Sequence, residues 1–363
     1  MKKTLITLLT FLSVLGVSAQ KTDKTKIDYE VEMMPLDIIS KEKKFDVFIE
    51  YDYAAKTEAA NAEVAENKEA AAKEKEEYEK KSLGEKMAKK VLLGESKPTG
   101  KFFNQTFIPT LFPVEGVKGA INIPGYNKLT GAKGSIHVMF FEMSYSLDQT
   151  QTKITYYPLK MVLTVTNDKG EVSFQGEVPN NSTALSYTAK TSVELGNSYL
   201  STLKGCETDA KNMAVKNLNA YLKTNYGYNM VKDERSFFDV KDKKMTYPEY
   251  HEAFEKVKMA FIYCNMPSKQ AEMATKLKEA ITAWETSLKE YDKANKEGRI
   301  NSDIAAATYL NIAEASIWVK DFDKSIEALA NYKLTGEDYS RAYNDKTAFL
   351  KDYSARYNKW TNY

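Results

Sequence analysis

Apolar and polar positions alternate with a period of two from Asp28 to about Val193, and past about Gly196 the period lengthens to that of a helix. In "KFDVFIEYDY", Phe45, Val47, Ile49, Tyr51 and Tyr53 share one face while Asp46, Glu50 and Asp52 point away. The same alternation in "YEVEMM" and "IHVMFFEMSY" predicts half-buried strands. "KMVLTVTNDKGEVSFQGEV" predicts a hairpin with Met161, Leu163 and Val165 on the inner face of its first strand and Val172, Phe174 and Val178 on that of its second. Asn167-Asp168-Lys169-Gly170 forms the turn, since Asn, Asp and Gly tolerate the backbone it needs.

In the helical half, Cys206, Ala210, Ala214, Leu218 and Leu222 recur every four residues as one stripe, and Gly227 stands beyond it as a stop. "SFFDV" predicts a short strand. Thr246-Tyr247-Pro248-Glu249 has the spacing of a capping box, and Tyr250, Phe254, Val257, Phe261 and Cys264 form the seam behind it. Further helices are predicted at about 268–296, 302–320, 323–333 and 339–360, the last with Tyr339, Tyr343, Leu350, Tyr353, Tyr357 and Trp360 on one side. An aromatic stripe at helical spacing is first of all a packing seam. Between the strands, residues 54–92 turn rich in Ala, Glu and Lys without proline, predicting a solvated helix held by pairs such as Glu69 with Lys73.

"YLNIAEASIWVKDFDKSIEAL", residues 309 to 329, resembles a tetratricopeptide repeat, a helix–turn–helix unit of about 34 residues. Tyr309 stands at that family's Trp position, Ile312 at its Leu, and Ala313 at the small position where two helices touch. Phe322, the small Ser325 and Leu329 follow in register; Ser316, Tyr332 and Glu337 depart from the pattern. "KLKEAITAWETSL" resembles the second helix of another copy, Ala280 matching Ser325 and Trp284 matching Leu329, at an offset longer than one repeat by about three helical turns. The resemblance spans about residues 246–335 and implies stacked hairpins that leave a groove for a protein or peptide.

Lys2 and Lys3, an apolar run from Leu5 to Val17, and Val17-Ser18-Ala19 have the form of a secretory signal over residues 1–19. About 13 apolar residues at about 1.5 Å each fall short of a bilayer core of about 30 Å. Gln20 rather than Cys follows the expected cut, so a lipoprotein is not indicated, and no later stretch is apolar enough for a transmembrane segment. The expected location is the periplasm or cell surface. Loss of Lys2 and Lys3 takes the 52 basic residues to 50, against 50 acidic ones. A neutral chain has no long-range pull on phosphate backbones, so nucleic acid is not an expected partner. The two cysteines, Cys206 and Cys264, make no framework but allow one disulfide in an oxidising compartment.

Catalytic chemistry finds little to stand on. His137 and His251 are the two histidines, too few for a His/Cys metal centre, and neither a Gly-x-Ser-x-Gly elbow nor a phosphate-cradling loop occurs. No cofactor is expected. Glu142, on the face of Val138 and Phe140, is a lone candidate acid. The expected architecture is α+β. An N-terminal antiparallel β domain, residues 20–195 with the 54–92 helix inserted, precedes a tetratricopeptide-like helical domain, residues 196–363. The expected function is that of an exported, non-enzymatic scaffold or adaptor of the bacterial cell envelope. The alternative, a carbohydrate-binding or carbohydrate-processing envelope protein, draws on 24 Tyr, 16 Phe and 3 Trp, whose rings can stack on sugars.

Overall fold

A computed structural model describes residues 21–80, 106–179, 183–243 and 245–363. The fold is mixed α+β, with the sheets gathered towards the N-terminus and helices filling the C-terminal part. It divides into two compact units, one formed by the chain up to Met34 together with Asn229–Tyr363, the other by Pro35–Tyr228. The second is an insertion in the first.

In Pro35–Tyr228, the strands are β2 (Lys44–Tyr51), β3 (Asn127–Lys128), β4 (Ser135–Phe140), β5 (Tyr145–Leu147), β6 (Lys153–Tyr156), β7 (Met161–Thr166), β8 (Val172–Glu177) and β9 (Leu185–Thr188). They form a five-stranded sheet in the order β3-β2-β4-β7-β8 and a three-stranded sheet β5-β6-β9. The larger sheet is not wholly antiparallel, because β2 pairs in parallel with both β3 and β4. A parallel neighbour needs a crossover, and the chain from Tyr51 to Ser135 supplies it, including helices α1 (Ala54–Glu79) and α2 (Val114–Ala120). On α1 the Glu69–Lys73 pair forms at 2.8 Å in solvent; residues 81–92 of the expected helix lie outside the described residues. The β7–β8 hairpin turns at Gly170 as expected, with φ at 84°. A register shift beside Val165 and Thr166 leaves Val172 exposed, whereas Val178 is buried.

Helix α3 (Ser192–Tyr226) lies on these sheets. Thr191 caps its start, accepting from the Glu194 amide while Glu194 reaches back to the Lys190 amide. Its stripe of Leu203, Ala210, Ala214, Leu218 and Leu222 is fully buried in one core with Val47, Val138, Leu163 and Val165. Each leucine there is worth about 2–5 kcal/mol against alanine. The expected domain division at 195/196 therefore falls inside the first turn of α3. The period changes there because a helix begins, yet helix and sheet serve a single core.

The other unit starts with β1 (Thr22–Met33), which pairs antiparallel along its whole length with β10 (Asn229–Val240), from Thr22 opposite Val240 to Met33 opposite Asn229. The short strand expected at "SFFDV" is the end of this twelve-residue one. Behind the ribbon come α4 (Pro248–Ile262), α5 (Gln270–Leu288), α6 (Ser302–Trp318), α7 (Phe322–Thr335) and α8 (Ser340–Asn362). Proline begins α4, but the expected capping box does not form: the cap is Tyr247 without a side-chain bond, and Glu249 turns instead to Arg299. Asn301 and Asp321 cap α6 and α7 by accepting from Ile304 and Lys324 amides. Gly336, at φ 84°, ends α7 in the left-handed conformation. Helix α6 is the axis of the unit, buried from Ile304 to Trp318 except at Tyr309. Its small residues, Ala305, Ala306, Ala307, Ala313 and Ala315, let neighbours approach from every side.

Candidate functional site

The residues expected to pack repeats meet in the helical unit. Ala280, Trp284, Ile312, Ala313 and Leu329 are buried in one core, against which Tyr309 and Phe322 are half-buried. Ser325 is fully buried and its hydroxyl donates to the Ala313 carbonyl at 2.9 Å. The side chain of a small residue on α7 thus reaches the main chain of α6 directly. Phe322 meets the rings of Tyr353 and Tyr357 on α8, and Trp284 lies near-parallel to Phe237 with ring centres 6.4 Å apart.

The face of α6 turned towards β10 is polar, and the ribbon lies on it. Asn311 accepts from the Phe238 amide at 2.8 Å and donates to the Phe238 carbonyl at 2.7 Å, as a neighbouring strand would. Glu314 takes both arms of the Arg235 guanidinium at 2.7 and 2.8 Å, the Lys346 ammonium at 3.0 Å and the Trp318 indole N–H at 3.0 Å. Lys346 also donates to the Ser236 carbonyl at 2.7 Å. Burial would raise the Glu314 carboxyl, but the charges of Lys346 and Arg235 outweigh it and hold it well below the ordinary carboxylate range. One carboxylate faces two cations, and burial pulls Lys346 below its ordinary value.

Further along the ribbon a shallow groove of about 580 Å³ opens between the middle of β1–β10 and the end of α4. Asp28, Glu30, Asp233 and Glu234 line it with the single cation Lys232, and Phe261, Ile262 and Asn265 form its other wall. Glu30 pairs with Lys232 and Glu234 with Lys26.

A second concavity, of about 440 Å³, lies in the sheet unit between Glu142, Ser144, Tyr157, Lys160 and Glu177. Glu142 is not buried as its strand face suggested: it is 39% exposed and pairs with Lys56 at 2.5 Å. A more deeply buried acid of this unit is one that pattern reading passed over. Glu207, beside Cys206 on α3, is wholly buried, accepts from the Thr110 amide at 2.9 Å, and has its carboxyl raised by burial. Nothing in its neighbourhood along the chain announces this, since the segment that covers it comes from far upstream.

Cys206 and Cys264 are free thiols rather than a disulfide, each buried in the core of its own unit. Burial pushes Cys206 up to about 11 and Cys264 up to about 12, so both act as small apolar groups. His251 is half-exposed and sits between two carboxylates, Nδ1 at 2.9 Å from Asp239 and Nε2 at 3.2 Å from Asp242. His137 faces Glu50 at 3.3 Å. Among the described residues no group of three or more His, Cys, Asp or Glu side chains is placed to hold a metal, and no helix is long and apolar enough to cross a membrane. A scan of family models and searches of curated proteins and of solved structures found no match to this chain.

Proposed function

We propose that the chain is an exported, non-enzymatic protein-interaction module, a scaffold or adaptor of the bacterial envelope, located in the periplasm or at the cell surface. Its helices are read as tetratricopeptide-like hairpins. The observation that carries this reading is the way α6 holds an extended strand: Asn311 grips both polar groups of the Phe238 backbone, a grip that serves any side-chain sequence. The strand held is the chain's own β10, so a foreign partner has to dock beside the ribbon rather than under it. The test uses the full chain after signal removal as bait in envelope extracts of the source cell, with chemical cross-linking. Retention of a defined protein partner at stoichiometric level supports the reading. Retention of none, together with a measured enzymatic turnover, removes it.

The sheet-unit cleft favours a second reading, carbohydrate binding, because it joins two carboxylates to the exposed ring of Tyr157. Glycan binding by the full chain that is lost in Glu142→Gln and Glu177→Gln supports it. Unchanged binding in both substitutions dismisses it.

A further inference from the structure

We propose that the chain pairs with a second copy of itself through β1, edge to edge and antiparallel, an inference that goes beyond the adaptor reading and does not depend on it. Residues opposite one another in an antiparallel ladder alternate between exchanging both backbone bonds and exchanging none. Phe238 bonds to Asn311 through its amide and carbonyl, and Ser236 to Lys346 through its carbonyl, so both turn their backbone groups away from β1. Their partners across the ribbon, Lys24 and Lys26, therefore turn theirs outward from the other edge. Unbroken register carries the alternation on to Asp28 and Glu30. Among the described residues nothing bonds to these outward backbone groups. The strand has twelve residues, about 40 Å at about 3.3 Å each, without proline. An edge of that length is a template for another strand unless charge, a bulge or proline guards it.

Charge is the guard on β1, and it selects the occupant. On the face turned away from the helices, Lys24 and Lys26 stand in the first half of the strand, Asp28 and Glu30 in the second. Opposite residues of an antiparallel pair share a face. With Ile27 set against Ile27 of the second copy, Lys26 meets Asp28 and Lys24 meets Glu30, and the two-fold axis repeats both pairs. Centring the pair on Lys26 or on Asp28 instead opposes like charges, and so does a parallel copy in register. Lys26 and Glu30 already reach Glu234 and Lys232 on β10, so each charge gains an opposite neighbour without losing one. On the covered face Ile27, half-buried against the helical core, meets its own copy, with Thr25 against Tyr29 beside it. Such β-branched and aromatic pairs favour a sheet. The connections to the inserted unit leave at Met33 and Asn229, ends that the two copies present at opposite limits of the shared sheet.

The test is analytical sedimentation of the chain without residues 1–19, at concentrations up to about 500 µM, since a single strand pair lies at the weak end of interface sizes. A monomer–dimer equilibrium is expected, weakening as salt rises. Lys26→Glu alone and Asp28→Lys alone each set like charges against one another on both sides of the axis. Each should weaken the dimer about tenfold or more. Mixing the two variants restores opposite charges on both sides and should return a mixed dimer of wild-type affinity. So should Lys26→Glu/Asp28→Lys combined in one chain. Both positions are exposed, and unchanged thermal melts keep the comparison valid. Amide exchange at Lys24, Lys26, Asp28 and Glu30 should slow with concentration, whereas Thr25, Ile27 and Tyr29, bonded to β10, keep one rate. A chain that stays monomeric, a dimer that neither single substitution weakens, or single variants that fail to pair on mixing overturns the proposal. The adaptor reading is scored separately, by capture of a different protein from envelope extract, and survives any of these results.

Discussion

The Ser325 hydroxyl reaches across from α7 to the backbone carbonyl of Ala313 on α6, at 2.9 Å and in full burial. Contact between a side-chain oxygen and the neighbouring helix's main chain leaves no room for a larger residue on either helix. Ser325→Ala gives up one hydrogen bond and should cost about 0.5–1.5 kcal/mol. Ser325→Leu and Ala313→Leu must push the helices apart and should cost about 1–3 kcal/mol or more. Urea unfolding followed by circular dichroism separates the two. Equal, small losses in all three variants would mean that the close approach does not matter to stability.

Asn311 is a second tie within the unit, because it bonds both the Phe238 amide and the Phe238 carbonyl on the side of β10 facing α6. Asn311→Leu fills the space but orphans two buried polar groups, each costing about 1–3 kcal/mol. The Phe238 amide should then exchange with solvent orders of magnitude faster, while amides in the core of the inserted unit, such as Leu163, keep their protection. Hydrogen exchange read by mass spectrometry checks it, and unchanged protection at Phe238 would refute the assignment.

Much of the helical part was legible because helix stripes are local. Tyr250, Phe254, Val257, Phe261 and Cys264 were assigned to one seam and are all buried. Ala313 and Ser325, set at the small positions of a repeat by the family resemblance, are joined by the bond from the Ser325 hydroxyl to the Ala313 carbonyl. What failed was long-range. Alternation in "YEVEMM" announces a strand but not that its partner is β10, some two hundred residues on. "VKDER" hid the first half of β10, since Lys232, Asp233 and Glu234 are charged and exposed, and Arg235 looked equally solvated until Glu314 and Lys346 gave it a buried setting. The polar face of α6 was invisible for the same reason. Asn311 and Glu314 have ordinary neighbours along the chain, and only the folded ribbon makes them specific. Parallel pairing of β2 with β4 also escaped notice, as alternation says nothing of strand direction.

The Glu314 cluster makes an asymmetric prediction. Glu314→Gln leaves Arg235 and Lys346 buried without a counter-charge and should cost about 3–5 kcal/mol. Lys346→Met removes the cation in excess and leaves the bidentate Arg235–Glu314 pair whole, so its cost should be well under half of that. Arg235→Met should resemble Glu314→Gln more than Lys346→Met, since it also strips the guanidinium from the face of Phe349, 4.0 Å away. Thermal denaturation of the three variants orders them. A Lys346→Met variant as unstable as Glu314→Gln would show that the two cations are equivalent and the excess charge harmless.

His251 gives the pH dependence. Both of its ring nitrogens face carboxylates, which only accept, so the arrangement is complete only when both carry protons. Hydrogen bonds donated to Asp239 in the first place, and to Asp242, raise its pKa above the ordinary histidine value against a smaller loss from burial. A group whose folded pKa is raised contributes its full stability below the unfolded value, near 6.5, and loses it as pH climbs through the folded value. The side chain is 39% exposed, so solvent screening keeps the effect small, about 1 kcal/mol or less. Wild-type protein should therefore lose a little stability between pH 6 and pH 8 that His251→Gln, lacking the charge at every pH, does not lose. Proton NMR of the imidazole should place the midpoint above 6.5, and return it towards that value in Asp239→Asn. A midpoint at or below 6.5 in the wild type, or the same pH slope in His251→Gln, would show that the two aspartates do not hold an imidazolium there.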